Sequence, residues 1–413
     1  MNEKEAMTKF PVQCSSVTLM VRSGARGDMN QIVQLGGMRG QLKDIDGKPL
    51  EVPVKRNYRE GVSPLEFYIG SHAGRRTMCE KKLLTAMAGD FTRLMVEACY
   101  RLTIECEDCK TEEGVLLSPF PAISDEAFEK LPKYSSRLLG RTQMENGEVI
   151  DEETATNLSK ESNCVKVRSV LTCKAYKTMG YGALCQRCYG WDLSVRDFPE
   201  LGLPVGILAG QSIGEQGTQS TMRTFHTGGV GGGIITKTEG LPRIKKLLGN
   251  GLVDVPIYRV VNPGATELGK ATDVDQWTLL IVAGQMPPGG ELPSVELLKE
   301  ERPRLLNLEY AIKEYEFSGL ALVIAFEANR IYKAAIHEKH FEVIARAMLR
   351  GHDKILRLVG IKSAPSEQPG FLAAASFQRS LEVLARAALA ERKDTLHGYK
   401  ERLMVGKRMR EDL

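Results

Sequence analysis

Apolar positions recur at three- and four-residue intervals along two long stretches of the chain, and each stretch carries its own start signal. Ser63-Pro64-Leu65-Glu66 combines an N-cap serine, a proline at the first helical position and a glutamate three residues after the cap, so a helix is predicted to begin at Pro64. No further proline follows before about Leu102, and Leu84, Met87, Phe91, Leu94, Met95 and Ala98 keep the helical spacing. Unbroken, such a helix is roughly 58 Å long. Gly70, Gly74 and Gly89 inside it each cost about 1 kcal/mol relative to alanine, which points to bending or close approach; two helices broken near Gly74 are the alternative.

A second helix is predicted from Pro204 to about Arg223. TGGVGGG at 227–233 follows, with five glycines in seven positions, and reads as a flexible connector before a short helix at 240–249. Helix, mobile loop and helix together have the pattern of a lid. Elsewhere residues 1–60 mix short β-rich runs (Val17 to Val21, Glu51 to Val54) with a glycine-dense stretch at 23–40 and read as loops braced by short helices, and Val165 to Leu171 alternates like a strand. Residues 250–335 mix β-like runs (Val253 to Val261, Trp277 to Val282, Leu320 to Phe326) with Pro/Gly turns, as in a small separate domain. From His337 onward two amphipathic helices, 337–350 and 371–391, lead to a basic tail. The fold class expected is α+β, mostly helical.

With 42% hydrophobic and 26% charged residues the chain is an ordinary globular one, which excludes collagen-like and wholly disordered readings. A net charge of +4 is too small to make it a free-standing nucleic-acid binder, so any polyanion contact must come from local patches. The longest apolar runs, 279–284 and 319–326, are far too short to span a bilayer, and no membrane partner is expected. The beginning MNEKEAMTKF has no apolar leader, so nine cysteines suggest a reducing, cytoplasmic setting and metal ligation rather than disulfides.

Cys185 and Cys188 form a C-x2-C knuckle with Cys173 upstream, and Cys106 and Cys109 form a second one. Zinc suits four thiolates in a tetrahedron, and each knuckle supplies two from a backbone already bent around the ion. Five candidates compete for four positions, and spacing does not choose between Cys106 and Cys173. Gln219, Met222, Arg223 and His226 stand at spacings of three, one and three, which on a helix puts the four on one face. Arginine can hold phosphate oxygens, methionine can cover a base and histidine can donate a proton, which suits a lid over a flat phosphorylated ligand. A plain solvent-facing surface is the bland alternative.

The block AGQSIGEQGTQSTMRTFHTGGV, with GLPRI after it, resembles the trigger loop of the beta-prime subunit of bacterial multisubunit RNA polymerase. Other blocks follow in family order: SGARG and QLGGMRG at 23–40, REGVSPLEFYIGSHAGRR at 59–76, VRSVLTC at 167–173, LCQRCYG at 184–190, KHFEVIARAML at 339–349, AAASFQ at 373–378 and GYKERLMVGK at 398–407. Several blocks in one order are far harder to meet by chance than a single motif.

The resemblance implies a division into an N-terminal segment beside the cleft (1–62), a bridge helix (63–103), a connector with a zinc-binding module (104–203), a trigger loop (204–249), a small β-rich jaw-like domain (250–335) and a helical clamp base (336–413). It places Thr85, Ala86 and Arg93 near the nascent base pair, Met222 against the incoming base, and Arg223 and His226, with Gln219, toward its phosphates. It gives the structural Zn2+ to Cys109, Cys173, Cys185 and Cys188, leaving Cys106 spare. Partners implied are the beta subunit, alpha, omega or sigma-like subunits, DNA template, RNA and nucleoside triphosphates, in the cytoplasm and on the nucleoid.

Some features depart from the family. Eleven residues separate Cys173 from Cys185, a longer loop than the family uses, which puts the metal geometry in question. Leu84 stands where the family has a lysine and Asp90 where it has a tyrosine, and 250–335 is short and divergent. The family's catalytic Mg2+ loop, with its three aspartates, has no counterpart; Asp44/Asp46 and Asp273/Asp275 are pairs without the third acid. The expectation is therefore a C-terminal portion of a split beta-prime subunit, of phage or mobile-element origin, active only with an N-terminal beta-prime chain that carries the magnesium. A catalytically incompetent mimic that binds host polymerase subunits is the alternative.

Overall fold

The computed structural model describes residues 16–27, 29–42, 50–117, 133–160, 165–223, 244–249, 253–255, 258–259, 298–299, 304–306, 308, 317, 320–321, 324, 336–350, 357–396 and 398–407. The chain divides into two units, 1–90 with 217–241 and 91–216 with 242–413. Helices predominate, and every sheet among the described residues is two-stranded, consistent with an α+β, mostly helical class.

The first unit holds α1 (Ser16–Arg22), α2 (Met29–Gly36) and most of α3 (Pro64–Cys99). α1 corrects the β-rich reading of Val17 to Val21: no described strand pairs with this run, so its backbone bonds locally, as in Ser23 N–H to Leu19 O at 2.9 Å. At the start of α3 the Glu66 carboxylate accepts from Ser63 N and Ser63 Oγ (both 2.9 Å), while Ser63 Oγ accepts from Glu66 N at 3.3 Å. It also accepts from Lys55 N at 3.0 Å and Arg56 N at 3.1 Å. These donors, the Ser63 amide foremost, hold the Glu66 carboxyl down at about 2. The capping box thus ties the incoming loop to the helix as well as starting it.

α3 runs 36 residues without a break, so the alternative of two helices does not hold. Only its last third is buried: Ala88, Phe91, Leu94, Met95, Ala98 and Cys99 are core, whereas Leu65, Phe67, Tyr68, Met78, Leu83 and Met87 are exposed.

In the second unit, β1 (Thr103–Cys106) pairs in parallel with β4 (Ala183–Cys185), and β2 (Val115–Leu117) pairs antiparallel with β3 (Val165–Val167). α4 (Tyr134–Leu138), α5 (Glu152–Lys160), α6 (Tyr176–Met179) and α7 (Gln186–Tyr189) fill the connections. The run predicted as a strand to Leu171 ends early, because Ser169 Oγ caps a 3-10 turn at Val170–Thr172.

α8 (Val205–Arg223) lies against the buried end of α3 through Gly206, Gly210 and Gly214. A Cβ at Gly206 would meet the Cys99 carbonyl, one at Gly210 the Val96 backbone and one at Gly214 the Thr92 side chain. Contacts that rise along α8 and fall along α3 make the pair antiparallel. Spacing of four residues keeps the glycines on one face and lets the backbones touch.

Residues 253–255 and 304–306 form an antiparallel pair, β5 and β8, and 258–259 pairs with 298–299 as β6 and β7. Leu320 to Phe326 is not the β run expected: Phe317, Leu320, Ala321 and Ile324 are helical, three of them buried, at the spacing of one helix face. Trp277 to Val282 lies outside the described residues.

The predicted helix 337–350 is α9 (Glu338–Met348); Leu349–Arg350 instead forms β9, paired with β10 (Arg357–Leu358). The predicted helix 371–391 is two helices, α10 (Phe371–Phe377) and α11 (Ser380–Leu389), separated by an extended Gln378 and a left-handed Arg379 at φ 52°. α12 (Tyr399–Met404) closes the unit by clasping the end of α3. Its Glu401 is fully buried in an ion pair with Arg101, and Lys400 Nζ reaches Glu97 Oε2 at 2.6 Å.

Candidate metal centre

Three segments of the chain bring four cysteines to one point. Cys109 follows β1, Cys173 follows the 3-10 turn, Cys185 ends β4, and Cys188 lies in α7, whose first turn is capped by Cys185 Sγ accepting from Cys188 N at 3.3 Å. The four Sγ atoms all lie within 4.8 Å of one another, with Cys109 to Cys188 at 3.6 Å and Cys109 to Cys173 at 3.7 Å. A zinc tetrahedron with bonds of about 2.3 Å has sulfur–sulfur edges of roughly 3.8 Å. The set therefore has the size and donor chemistry to hold such an ion. The long loop between Cys173 and Cys185 does not spoil this: α6 takes up the extra residues, and β4 returns the chain beside β1.

Cys106 is left out. It pairs with Cys185 in strand register, but its sulfur is not in the cluster, and burial pushes its thiol up to about 11. Within the cluster, hydrogen bonds from Cys173, Cys185 and Cys188 hold the Cys109 thiol well below its ordinary range. The same contacts, that to Cys109 first, push Cys173 and Cys188 above it. A half-buried thiolate corner with three buried neighbours is suited to receiving a cation.

Two arginines surround the set. Arg168 Nη2 donates to Asp108 Oδ1 at 2.6 Å and approaches Cys109, Cys188 and Cys185 Sγ at 3.4, 3.5 and 3.8 Å. Burial works against its charge, yet Asp108 and the Cys188 and Cys185 sulfurs raise it above the ordinary arginine value. From α9, Arg346 donates to Leu171 O and Cys173 O, both at 3.2 Å. The same helix buries Glu338 and Glu342 against Arg137 and Arg141: Arg137 Nε to Glu338 at 2.8 Å, Arg141 Nη2 to Glu342 at 2.5 Å, and Ser169 Oγ to Glu342 at 2.6 Å. Each of these carboxylates has a cation and a hydrogen bond, the condition under which buried charge is tolerated.

The residues expected at a nucleotide are not among the ligands of this centre. On α3, Thr85 is half-buried, Ala86 is exposed, and the exposed Arg93 places its guanidinium 5.7 Å from the Phe377 ring. Gln219 is half-buried in the last turns of α8. Met222 and Arg223 are helical in backbone, with side chains outside the description, and His226 and the glycine connector lie outside the described residues.

Comparison with known proteins decides the family. Residues 61–276 match the family model described as RNA polymerase Rpb1, domain 5, and residues 2–59 match RNA polymerase Rpb1, domain 4. The DNA-directed RNA polymerase subunit beta′ of Heliobacterium modesticaldum is 33% identical over 98% of the chain. The chain belongs to the RNA polymerase beta-prime family. The subunits beta′ of Caldanaerobacter subterraneus subsp. tengcongensis (33% identical, 98% of the chain) and Clostridioides difficile (32%, 95%) are similar to it as well. The chain spans only 39% of the Heliobacterium relative and 38% of the other two. Among the described residues, no helix is long and apolar enough to cross a membrane.

Sequence reasoning did not single out Arg168, Arg346 or the glycines of α8. Arg168 stands in plain view inside VRSVLTC, but nothing local says that its guanidinium turns toward cysteines 17 to 59 residues away. The four-residue spacing of Gly206, Gly210 and Gly214 is a legible signal of close helix approach; the partner helix is not.

Proposed function

We propose that this chain supplies a bridge helix (63–103) and a trigger loop (204–249) to DNA-templated nucleotidyl transfer, as the C-terminal portion of a split beta-prime subunit. The observation that carries the reading is the pairing of α3 and α8. One is a continuous 36-residue helix with a bared N-terminal stretch; the other is locked to its buried end and leads into the Met222-Arg223-x-x-His226 segment. In this reading Thr85, Ala86 and Arg93 flank the nascent base pair. Met222 covers the incoming base, while Arg223, His226 and Gln219 face its phosphates. Closure of the segment excludes water and brings positive charge to where negative charge develops.

Zinc on Cys109, Cys173, Cys185 and Cys188 would supply a structural staple with no part in the chemistry, joining three segments of 104–203. In this reading the catalytic magnesium would sit on aspartates of an N-terminal beta-prime chain. The beta subunit, other polymerase subunits, DNA, RNA and nucleoside triphosphates complete the assembly, cytoplasmic and nucleoid-associated.

The test is reconstitution with an aspartate-bearing partner and a primed RNA-extension assay. Arg223→Ala and His226→Ala are expected to slow nucleotide addition without preventing assembly; undiminished rates in both refute the trigger-loop role.

A further inference from the structure

A zinc ion on four thiolates carries a net charge of −2, and a half-buried site must offset that charge. The backbone N–H of Lys174, 3.5 Å from Cys109 Sγ, and that of Cys188 on Cys185 supply two hydrogen bonds but no charge. Among the described side chains Arg168 supplies both. It directly follows β3, its backbone N–H donates to Thr142 O at 2.8 Å, and its side chain is 8% exposed. One guanidinium nitrogen spans the face formed by Cys109, Cys185 and Cys188, and Asp108, the residue next to Cys109, aims it. The fourth cysteine is braced from the other element, through Arg346 and the Cys173 carbonyl.

We infer that Arg168 is a positioning residue of the metal centre: it offsets the thiolate charge and, with one Nη2 hydrogen on Asp108, shares the other among the three sulfurs it faces, making the site retentive. The inference rests on the metal reading above. Hydrogen bonds to a thiolate withdraw electron density from sulfur. They weaken its tendency to take up a proton or to be captured by a competing acceptor, and they keep the three sulfurs in register for the ion. A lysine at this position would keep a charge but present a compact ammonium without the planar fork. It would therefore restore only part of the effect.

The test uses the full chain loaded with Zn2+ or, for spectroscopy, Co2+. Wild type should bind one equivalent; if it binds none, the metal reading itself falls. Two quantities are then compared at one pH: the rate of zinc transfer to an excess of a chromogenic chelator, and the energy of the sulfur-to-cobalt charge-transfer band. Removing an outer-shell partner typically weakens a metal site by about 10- to 100-fold. Arg168→Met should release zinc faster by a factor in that range and move the band to lower energy as the sulfurs become more electron-rich. Arg168→Lys should fall between it and wild type. Should Arg168→Met not fold, Arg168→Lys alone is read against wild type, with faster release and a red-shifted band expected. With wild type loaded, release within twofold and an unmoved band in the folded variants overturn the inference.

Discussion

Replacing Gly206 by alanine tests the contact that joins α8 to α3. The added Cβ would lie 1.8 Å from the Cys99 carbonyl oxygen and 2.7 Å from its carbon, where real Cβ atoms keep at least 3.0 Å. Backbone cannot rotate away, so the helices must part by more than an ångström, undoing packing around Val205, Ala209, Met95 and Ala98, all buried. Overpacking of this kind costs about 1–3 kcal/mol or more, against a gain of about 1 kcal/mol in helix propensity. Gly214→Ala, 2.3 and 2.4 Å from both branches of Thr92, cannot be relieved by a rotamer change and should rank second. Gly210→Ala, 3.0 Å from Val96 Cγ2 and 3.1 Å from Val96 N, needs the facing backbone to give by a few tenths of an ångström and should cost least of the three. Gly74 and Gly89 have nothing within 4 Å of a built Cβ, so alanine there should stabilise by up to about 1 kcal/mol. Urea unfolding followed at 222 nm, with hydrogen exchange of α8 amides, reads the order. A Gly206→Ala chain as stable as the Gly89→Ala chain would refute the close-packed pair.

Two further predictions concern the second unit. Cys188→Ser should abolish stoichiometric zinc binding by elemental analysis while Cys106→Ser leaves it intact, since only the former sulfur is in the cluster; equal loss in both would reopen the ligand set. Lys339 is buried with its ammonium against Trp191 O and over the Tyr189 ring, and burial, then the Arg141 charge, lower it to about 7. The unfolded chain then binds the extra proton between about pH 7 and 10.4, so stability should rise with pH across that window, by a few kcal/mol, and stay level below it. Lys339→Met should remove this slope relative to wild type in denaturation curves; an unchanged slope would show that Lys339 is charged when folded.

What the sequence determined by itself is what short-range chemistry decides. The capping box needs only Ser63 and Glu66, three residues apart, and the start of α3 follows from it. The C-x2-C turn at 185–188 needs only a bent backbone, and the blocks around SGARG, MRTFH and KHFEVIARAML placed the chain in its family without any contact being known. Tertiary structure alone decided what depends on distant partners. Cys106 lies opposite Cys185 in the β1–β4 register yet its sulfur stays out of the cluster, whereas Cys173 reaches it from the end of the 3-10 turn. Val17 to Val21 is helical, with no partner strand among the described residues, and 371–391 broke where Arg379 took a left-handed backbone. Arg168 became part of the metal centre because Thr142 O holds its backbone and Asp108 its guanidinium there. Local signals are written in neighbouring residues, whereas ligand sets and helix pairs depend on loop closures whose cost only the assembled packing can offset.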